Sequence, residues 1–255
     1  MFANHPKVRL AGIPFLVTDL QDATSEILNG CRRHSPISIH LWNTYSVGLN
    51  AADPSTRFAT GNPKSVFLPD GLPLAVIAKF MALVSGFSSA RQVRGADLFR
   101  SVLAAGVDTK TKHAFYGSTP QTLDLLVAEA QKNIPGLIIA DYFAPEFGPV
   151  TEKLADDISA RIQVTQPDVV WLGMGTPKQD QLSSLLVKRV PICVIGVGAA
   201  FDFVASPRLE APVLWRKFGL EWVHRLLSEP RRLWKRYSVG IFWFALALLG
   251  WKRND

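Results

Sequence analysis

Residues 171–180, WLGMGTPKQD, decide the fold of this 255-residue chain. The apolar, β-prone run 169–172 stops at Gly173 and Gly175, where extended backbone must give way to a turn. Thr176 then reads as a helix N-cap, Pro177 as the first helical residue, and Lys178, Gln179 and Asp180 as the first turn. A strand that ends in a glycine turn and feeds a helix sets unpaired backbone N–H groups and a positive dipole end beside a crevice. Lys178 adds a full charge there. The stretch is one strand–helix unit of a parallel sheet, with a place for an anion at its carboxyl end.

The same unit recurs on both sides. β-prone runs at 8–13, 37–42, 65–68, 113–116, 137–140, 168–172 and 192–195 alternate with helical patterns near 19–33, 46–60, 72–82, 96–106, 119–133, 150–165 and 178–189. This alternation predicts an α/β fold, a Rossmann-like, mostly parallel sheet with covering helices. Ligands in such sheets gather at strand carboxyl ends. Those ends carry Asn43 and Thr44, Asp70 and Gly71, Gly117 and Ser118, Asp141, Gly173 and Gly175, and Gly196 and Gly198, which predicts one shared site.

Charge divides the chain. Residues 1–207 hold 18 Lys+Arg against 17 Asp+Glu, whereas residues 208–255 hold 10 against 4. An α/β body at 1–207 is therefore followed by a basic, Trp-rich helical appendage at 208–255. Within it, 212–236 reads as an amphipathic helix broken near Gly219 and Pro230, and 239–251, VGIFWFALALLGW, is almost wholly apolar. Thirteen residues are too few to span a bilayer core, which takes about 20. Trp243, Trp251, Lys252 and Arg253 suit a helix lying at a membrane interface. The competing reading docks this helix on the body or, in a homo-oligomer, on a second copy. A basic segment beside an apolar run points to an anionic membrane surface. No nucleic-acid recognition motif accompanies it. The opening MFANHPKVRL lacks the apolar core of a secretory signal, and Cys31 and Cys193 show no metal spacing. A cytoplasmic chain with two buried thiols is expected.

Several residues carry candidate chemistry. Asp70 in LPDG is either a general base for an acceptor hydroxyl or the helix N-cap of a Pro-Asp-Gly turn. Lys178 and Gln179 either bind a diphosphate and a uracil or sugar hydroxyl, or fill a solvated first turn. Gly198, in GVGAAFDFVAS (196–206), lets backbone approach a ligand or a packed helix, and Asp202 caps or binds. Ser118 and Thr119 precede Pro120 as an N-cap pair. Asp141 and the aromatics of DYFAPEF (141–147) read as a loop. Arg91 and Arg94 precede a helix and can grip a diphosphate. The Walker and GxGxxG patterns are absent, which removes most support for ATPase and dinucleotide dehydrogenase readings. The histidines have no metal spacing, and HExxH, DxD and GxSxG are absent. No metal or cofactor is called for.

Taken in order, LWNTYSVGLNA (41–51), LPDGLPL (68–74), VRGADLF (93–99), FYGSTP (115–120), DYF (141–143), LGMGTPKQD (172–180), GVGAAFDF (196–203) and FGLEWVHRLLSEPRRLWKRY (218–237) resemble the WecG/TagA/CpsF family of bacterial glycosyltransferases. The resemblance implies a Rossmann-like body and an appendage that helps place the enzyme on the membrane. It implies transfer, with inversion and without an essential metal, from a UDP-sugar to a polyprenyl-diphosphate-linked saccharide at the cytoplasmic face of the inner membrane. It implies Asp70 as the base, Asn43 and Thr44 lining the site, and Lys178 and Gln179 near the donor. Arg225, Arg231 and Arg232 are implied to reach the donor diphosphate or lipid phosphates. The family's RVxG pattern stands here as Gln92-Val93-Arg94-Gly95, so Arg91 or Arg94 takes the arginine's place. The alternative is a non-catalytic UDP-sugar-binding scaffold or regulator at the membrane, which would not need Asp70, Lys178 and Gln179 together.

Overall fold

The computed structural model describes residues 1–87, 90–206, 210–212, 214–215 and 220–250. Its strands are β1 (Lys7–Leu10), β2 (Ile13–Leu16), β3 (Ile37–Trp42), β4 (Ser65–Pro69), β5 (Lys112–Gly117), β6 (Ile138–Phe143), β7 (Val169–Gly173) and β8 (Cys193–Gly196). They form one sheet in the order β1-β2-β4-β3-β8-β7-β5-β6, parallel throughout except for β1 against β2. The expected mostly parallel α/β sheet is present. All residues of β3 and β8 are buried, as befits strands covered on both faces. The expected single strand at 8–13 is instead a hairpin. Ala11 and Gly12 take φ of 49° and 78°, the two positive angles of a type I′ turn, and Lys7 pairs with Leu16.

One face of the sheet packs α1 (Leu20–Cys31), α4 (Gly95–Gly106), α5 (Pro120–Asn133) and α8 (Ala200–Ala205) around Ile27, Phe99, Leu126, Trp171 and Phe201. The other packs α2 (Thr44–Ala52) and α3 (Leu72–Val84) over the β1–β2–β4–β3 half, around Phe15, Trp42, Phe67 and Leu74. Over the remaining half lie α6 (Glu152–Thr165) and α7 (Lys178–Arg189), around Tyr116, Ile158, Leu172 and Leu186. The helical pattern at 46–60 stops at Ala52 because Pro54 cannot continue it; Asp53 caps a short 3₁₀ turn, Pro54–Thr56. Cys31 and Cys193 are both free and buried.

The appendage supplies α9 (Glu221–Ser228) and α10 (Pro230–Leu248), divided at Pro230. α10 lies on α2, and two glycines set their distance. A Cβ on Gly48 would stand 2.4 Å from the Gly240 carbonyl oxygen, and one on Gly240 would stand 2.8 Å from the Tyr45 ring. Leu233, Phe244 and Ala247 are buried, and Phe244 joins the Trp42–Phe67 cluster. One side of the apolar run is thus docked on the body. Val239, Ile241, Phe242 and Leu248, on the other side, stay exposed. Among the described residues no helix is long and apolar enough to cross a membrane. Trp251, Lys252 and Arg253 lie outside the described residues. Gly48→Val is expected to cost about 1–3 kcal/mol, because the added carbons meet backbone that cannot rotate away. A lower urea midpoint at unchanged slope is the measurement that checks it.

Candidate active site

A cleft of about 310 Å³ opens at the carboxyl ends of β3, β4, β7 and β8. It exists because α2 leaves β3 towards one face of the sheet while α8 leaves the neighbouring β8 towards the other. Such a divergence leaves a crevice above the strand ends. Leu41, Asn43 and Ser46 line it from β3 and α2, and Asp70 from the turn after β4. Gly173 to Thr176 and Gln179 come from the β7–α7 turn, and Val197 to Ala199 and Asp202 from the β8–α8 turn. Six expected residues therefore meet: Asn43, Asp70, Gly173, Gly175, Gln179 and Gly198. Thr44 and Gly71 follow two of them in the chain without lining the cleft.

Asp70 does not cap the helix that follows it. Gly71 is the N-cap of α3, with no side-chain hydrogen bond. Asp70 Oδ1 instead accepts from the Gly95 N–H at 2.9 Å, at the start of α4. Its own N–H donates to the Trp42 carbonyl at 2.8 Å, and its carbonyl accepts from the Gln92 amide. Backbone and carboxylate are both held. Beside it, Asn43 caps α2, its Oδ1 accepting from the N–H groups of Tyr45 at 3.0 Å and Ser46 at 3.3 Å.

The opposite wall is tied together by Gln179. Its buried Oε1 accepts from the N–H groups of Gly175 at 3.1 Å and Gly198 at 3.0 Å. Both glycines have positive φ, 73° and 56°, a conformation side chains rarely adopt. The two turns are thereby set at a fixed distance. Thr176 is not the expected N-cap. α7 begins at Lys178 with Pro177 as N-cap, after a cis Thr176–Pro177 bond and with no side-chain cap. Buried Asp180 fastens this turn to β3, its Oδ1 accepting from Trp42 Nε1 at 3.1 Å and meeting His40 Nδ1 at 2.7 Å.

Other expected residues stand elsewhere. Asp141 belongs to the edge strand β6, not a loop, and its carboxylate accepts from Arg161 at 2.7 and 2.8 Å and from the Tyr116 hydroxyl at 3.0 Å. Lys178 projects outside the cleft lining, its ammonium 4.1 Å from the centroid of the Phe147 ring. Gly117 and Ser118 flank the cleft; the Ser118 hydroxyl lies 3.5 Å from Asp202 Oδ1. Thr119 caps α5 ahead of Pro120, as the residue types predict. Arg231 is exposed on the first turn of α10, and the side chains of Arg225 and Arg232 lie outside the described residues.

Arg94 does not offer itself to a diphosphate, because carboxylates occupy its guanidinium. Nε and Nη2 donate to the two oxygens of Glu221 at 2.8 and 3.0 Å, and Nη1 donates to Glu210 at 2.5 Å and Asp97 at 3.0 Å. Burial disfavours its charge, yet hydrogen bonding and charge from Glu221, with Asp97 and Glu210, raise its pKa above the usual range. Arg100 reaches Glu210 from the other side at 2.7 Å. The pair of arginines forms a clasp between α4 and the appendage.

Sequence reasoning missed Ser46 and left Asp202 outside the predicted site. Both follow from helix starts: Ser46 stands three residues after the Asn43 cap, and Asp202 in the first turn of α8. Among the described residues no three His, Cys, Asp or Glu side chains gather as a metal site.

The chain matches the model of the Glycosyl transferase WecG/TagA/CpsF family over residues 8–255. It is 28% identical over 212 residues to the N-acetylglucosaminyldiphosphoundecaprenol N-acetyl-beta-D-mannosaminyltransferase of Bacillus spizizenii, an alignment covering 77% of this chain and 79% of that protein.

Proposed function

We propose, since the chain belongs to the WecG/TagA/CpsF family of glycosyltransferases, that its cleft moves a sugar with inversion from a UDP-sugar to a polyprenyl-diphosphate-linked saccharide. The observation that carries this reading is Asp70, a carboxylate held by the Gly95 N–H at 2.9 Å in the wall of a cleft closed by two glycine turns. In the proposed step Asp70 takes the proton from an acceptor hydroxyl. The hydroxyl oxygen bonds to the anomeric carbon from the face opposite UDP, and the bond to the diphosphate oxygen breaks with its electron pair leaving on UDP. Backbone N–H groups of the β7–α7 turn other than that of Gly175, which Gln179 holds, and the Lys178 ammonium stabilise the departing charge, aided by Arg225, Arg231 and Arg232 of the appendage. Lys178 must leave the Phe147 ring to do so, at a cost of about 0.5–1 kcal/mol for an exposed cation–π contact.

The Bacillus relative's name supplies the first substrates to try: an N-acetylmannosaminyl donor and an N-acetylglucosaminyl diphosphate lipid acceptor. The reading places the enzyme at the cytoplasmic face of the membrane, held there through residues 208–255, where a water-borne nucleotide meets a lipid-borne acceptor. A panel of UDP-sugars offered with a short-chain acceptor, followed by UDP release, tests it. Release with UDP-N-acetylmannosamine is expected. Tight UDP binding with no release from any donor would leave a non-catalytic scaffold as the better account.

A further inference from the structure

α3, LPLAVIAKFMALV, has a single charged residue, Lys79. One stripe, Leu74, Ala75, Ala78 and Ala82, is buried against the sheet. The opposite stripe repeats at helical spacing and is open: Val76 is 56% exposed, Phe80 64%, Leu83 54% and Val84 71%. A helix facing water is polar on its outer side, whereas one that is apolar all round is covered by something. α10 presents a second open apolar surface, with Ile241 52% and Phe242 58% exposed. The two helices rise from the same half of the sheet, since Phe244 shares a buried cluster with Leu74, Ala78 and Ala82.

We propose that the outward face of α3 is a membrane-docking surface that enters an anionic lipid bilayer alongside α10. This rests on the reading above, in which the acceptor is lipid-linked, and adds a second point of attachment outside the appendage. Charge selects lipid as the occupant. No Asp or Glu occurs between Gly71 and Ala96 or between Pro230 and Leu248, while Lys79, Arg91, Arg231, Arg232, Lys235 and Arg236 fall in those stretches. Arg94, in the first stretch too, is taken up by carboxylates; the others stand in segments without acid, and apolar surface in basic, acid-free segments is what an anionic interface attracts. Position agrees with charge. α3 starts two residues after Asp70, so a seated α3 brings the proposed base to the level of the headgroups, where a lipid diphosphate lies. At thirteen residues, about 20 Å, α3 lies in the interface and does not cross.

The test uses the full chain and vesicles of phosphatidylglycerol and phosphatidylcholine in equal parts. Phe80→Ser with Val84→Ser should weaken vesicle binding by roughly tenfold or more, the loss expected for apolar burial forgone at two side chains. Turnover of a long-chain acceptor in vesicles should fall with it, while turnover of a water-soluble short-chain acceptor stays at the wild-type value. Val164→Ser, at an apolar residue 83% exposed on α6, should change neither. Unchanged vesicle binding in the α3 variant, with loss in Phe242→Ser, would overturn the role of α3 and leave the membrane reading standing. A wild-type chain that ignores vesicles would remove both. A wild-type dimer that Phe80→Ser dissociates would assign the face to a second copy instead.

Discussion

Asp70→Asn is expected to abolish sugar transfer, lowering kcat by about 10²–10⁴-fold, the range that general-base catalysis supplies. The substitution is chosen because it preserves the local architecture. An asparagine Oδ1 still accepts from the Gly95 N–H, now at 2.9 Å, so the start of α4 keeps its partner and the turn keeps its backbone bonds to Trp42 and Gln92. What is lost is the capacity to take a proton. UDP binding, measured by calorimetry, should therefore match the wild type while UDP release in the presence of acceptor collapses. Asp202→Asn is the informative companion, since Asp202 also lines the cleft but sits beside Ser118 on the β8–α8 wall. A much smaller loss there would single out Asp70. Full turnover in Asp70→Asn would end its candidacy as the base.

The convergence of Asn43, Asp70, Gly173, Gly175, Gln179 and Gly198 was legible in advance because it depends on one repeated local event. Each apolar run ends at a glycine or a capping residue, and parallel strands bring all those ends to one edge. Where the structure departs from that rule or adds to it, a physical reason is visible. The last strand before α6 runs to Phe143 rather than stopping at residue 140, so Asp141 falls within the sheet edge and is taken by Arg161. Gln179 reads from sequence as a donor contact or as part of a solvated first turn; it lines the cleft and is buried, its side-chain oxygen shared between two glycine N–H groups from different turns. The apolar end of the chain allowed either lipid contact or docking on the body. α10 has two apolar sides, one seated on Gly48 and Trp42's cluster and one left open, which hydropathy alone does not separate.

Arg94 is the clearest case of partners that no local pattern reveals, because two of its three carboxylates lie 116 and 127 residues away. Arg94→Met is expected to release the appendage from the body and to cripple transfer. The methionine fills much of the same space, so the variant removes charge and hydrogen bonds with little cavity. Breaking a buried pair by removing one partner costs about 3–5 kcal/mol. Glu221 is 23% exposed and Glu210 keeps Arg100, so solvent and the second arginine reduce this to about 2–3 kcal/mol. That is enough to populate a detached appendage, read as faster proteolytic cleavage between body and α9 under native conditions. Transfer should fall for two reasons: the appendage proposed to aid the departing diphosphate comes away from the body, and Gly95, which holds Asp70, directly follows Arg94. Arg94→Lys, which keeps a positive charge among the three carboxylates, should retain part of the protection, an outcome that simple misfolding would not give. Acid should loosen the clasp as well. Burial raises the Glu210 carboxyl, but hydrogen bonds and charge from Arg100 and Arg94 outweigh it and hold the group below its usual 4.5. Its contribution is therefore whole above that value and fades as pH falls through the lower native value. Wild-type cleavage should accelerate only in that acid range, whereas Arg94→Met should be cleaved fast at neutral pH already. Equal cleavage of the two proteins at neutral pH would show that the appendage is held by the Gly48–Gly240 helix contact alone.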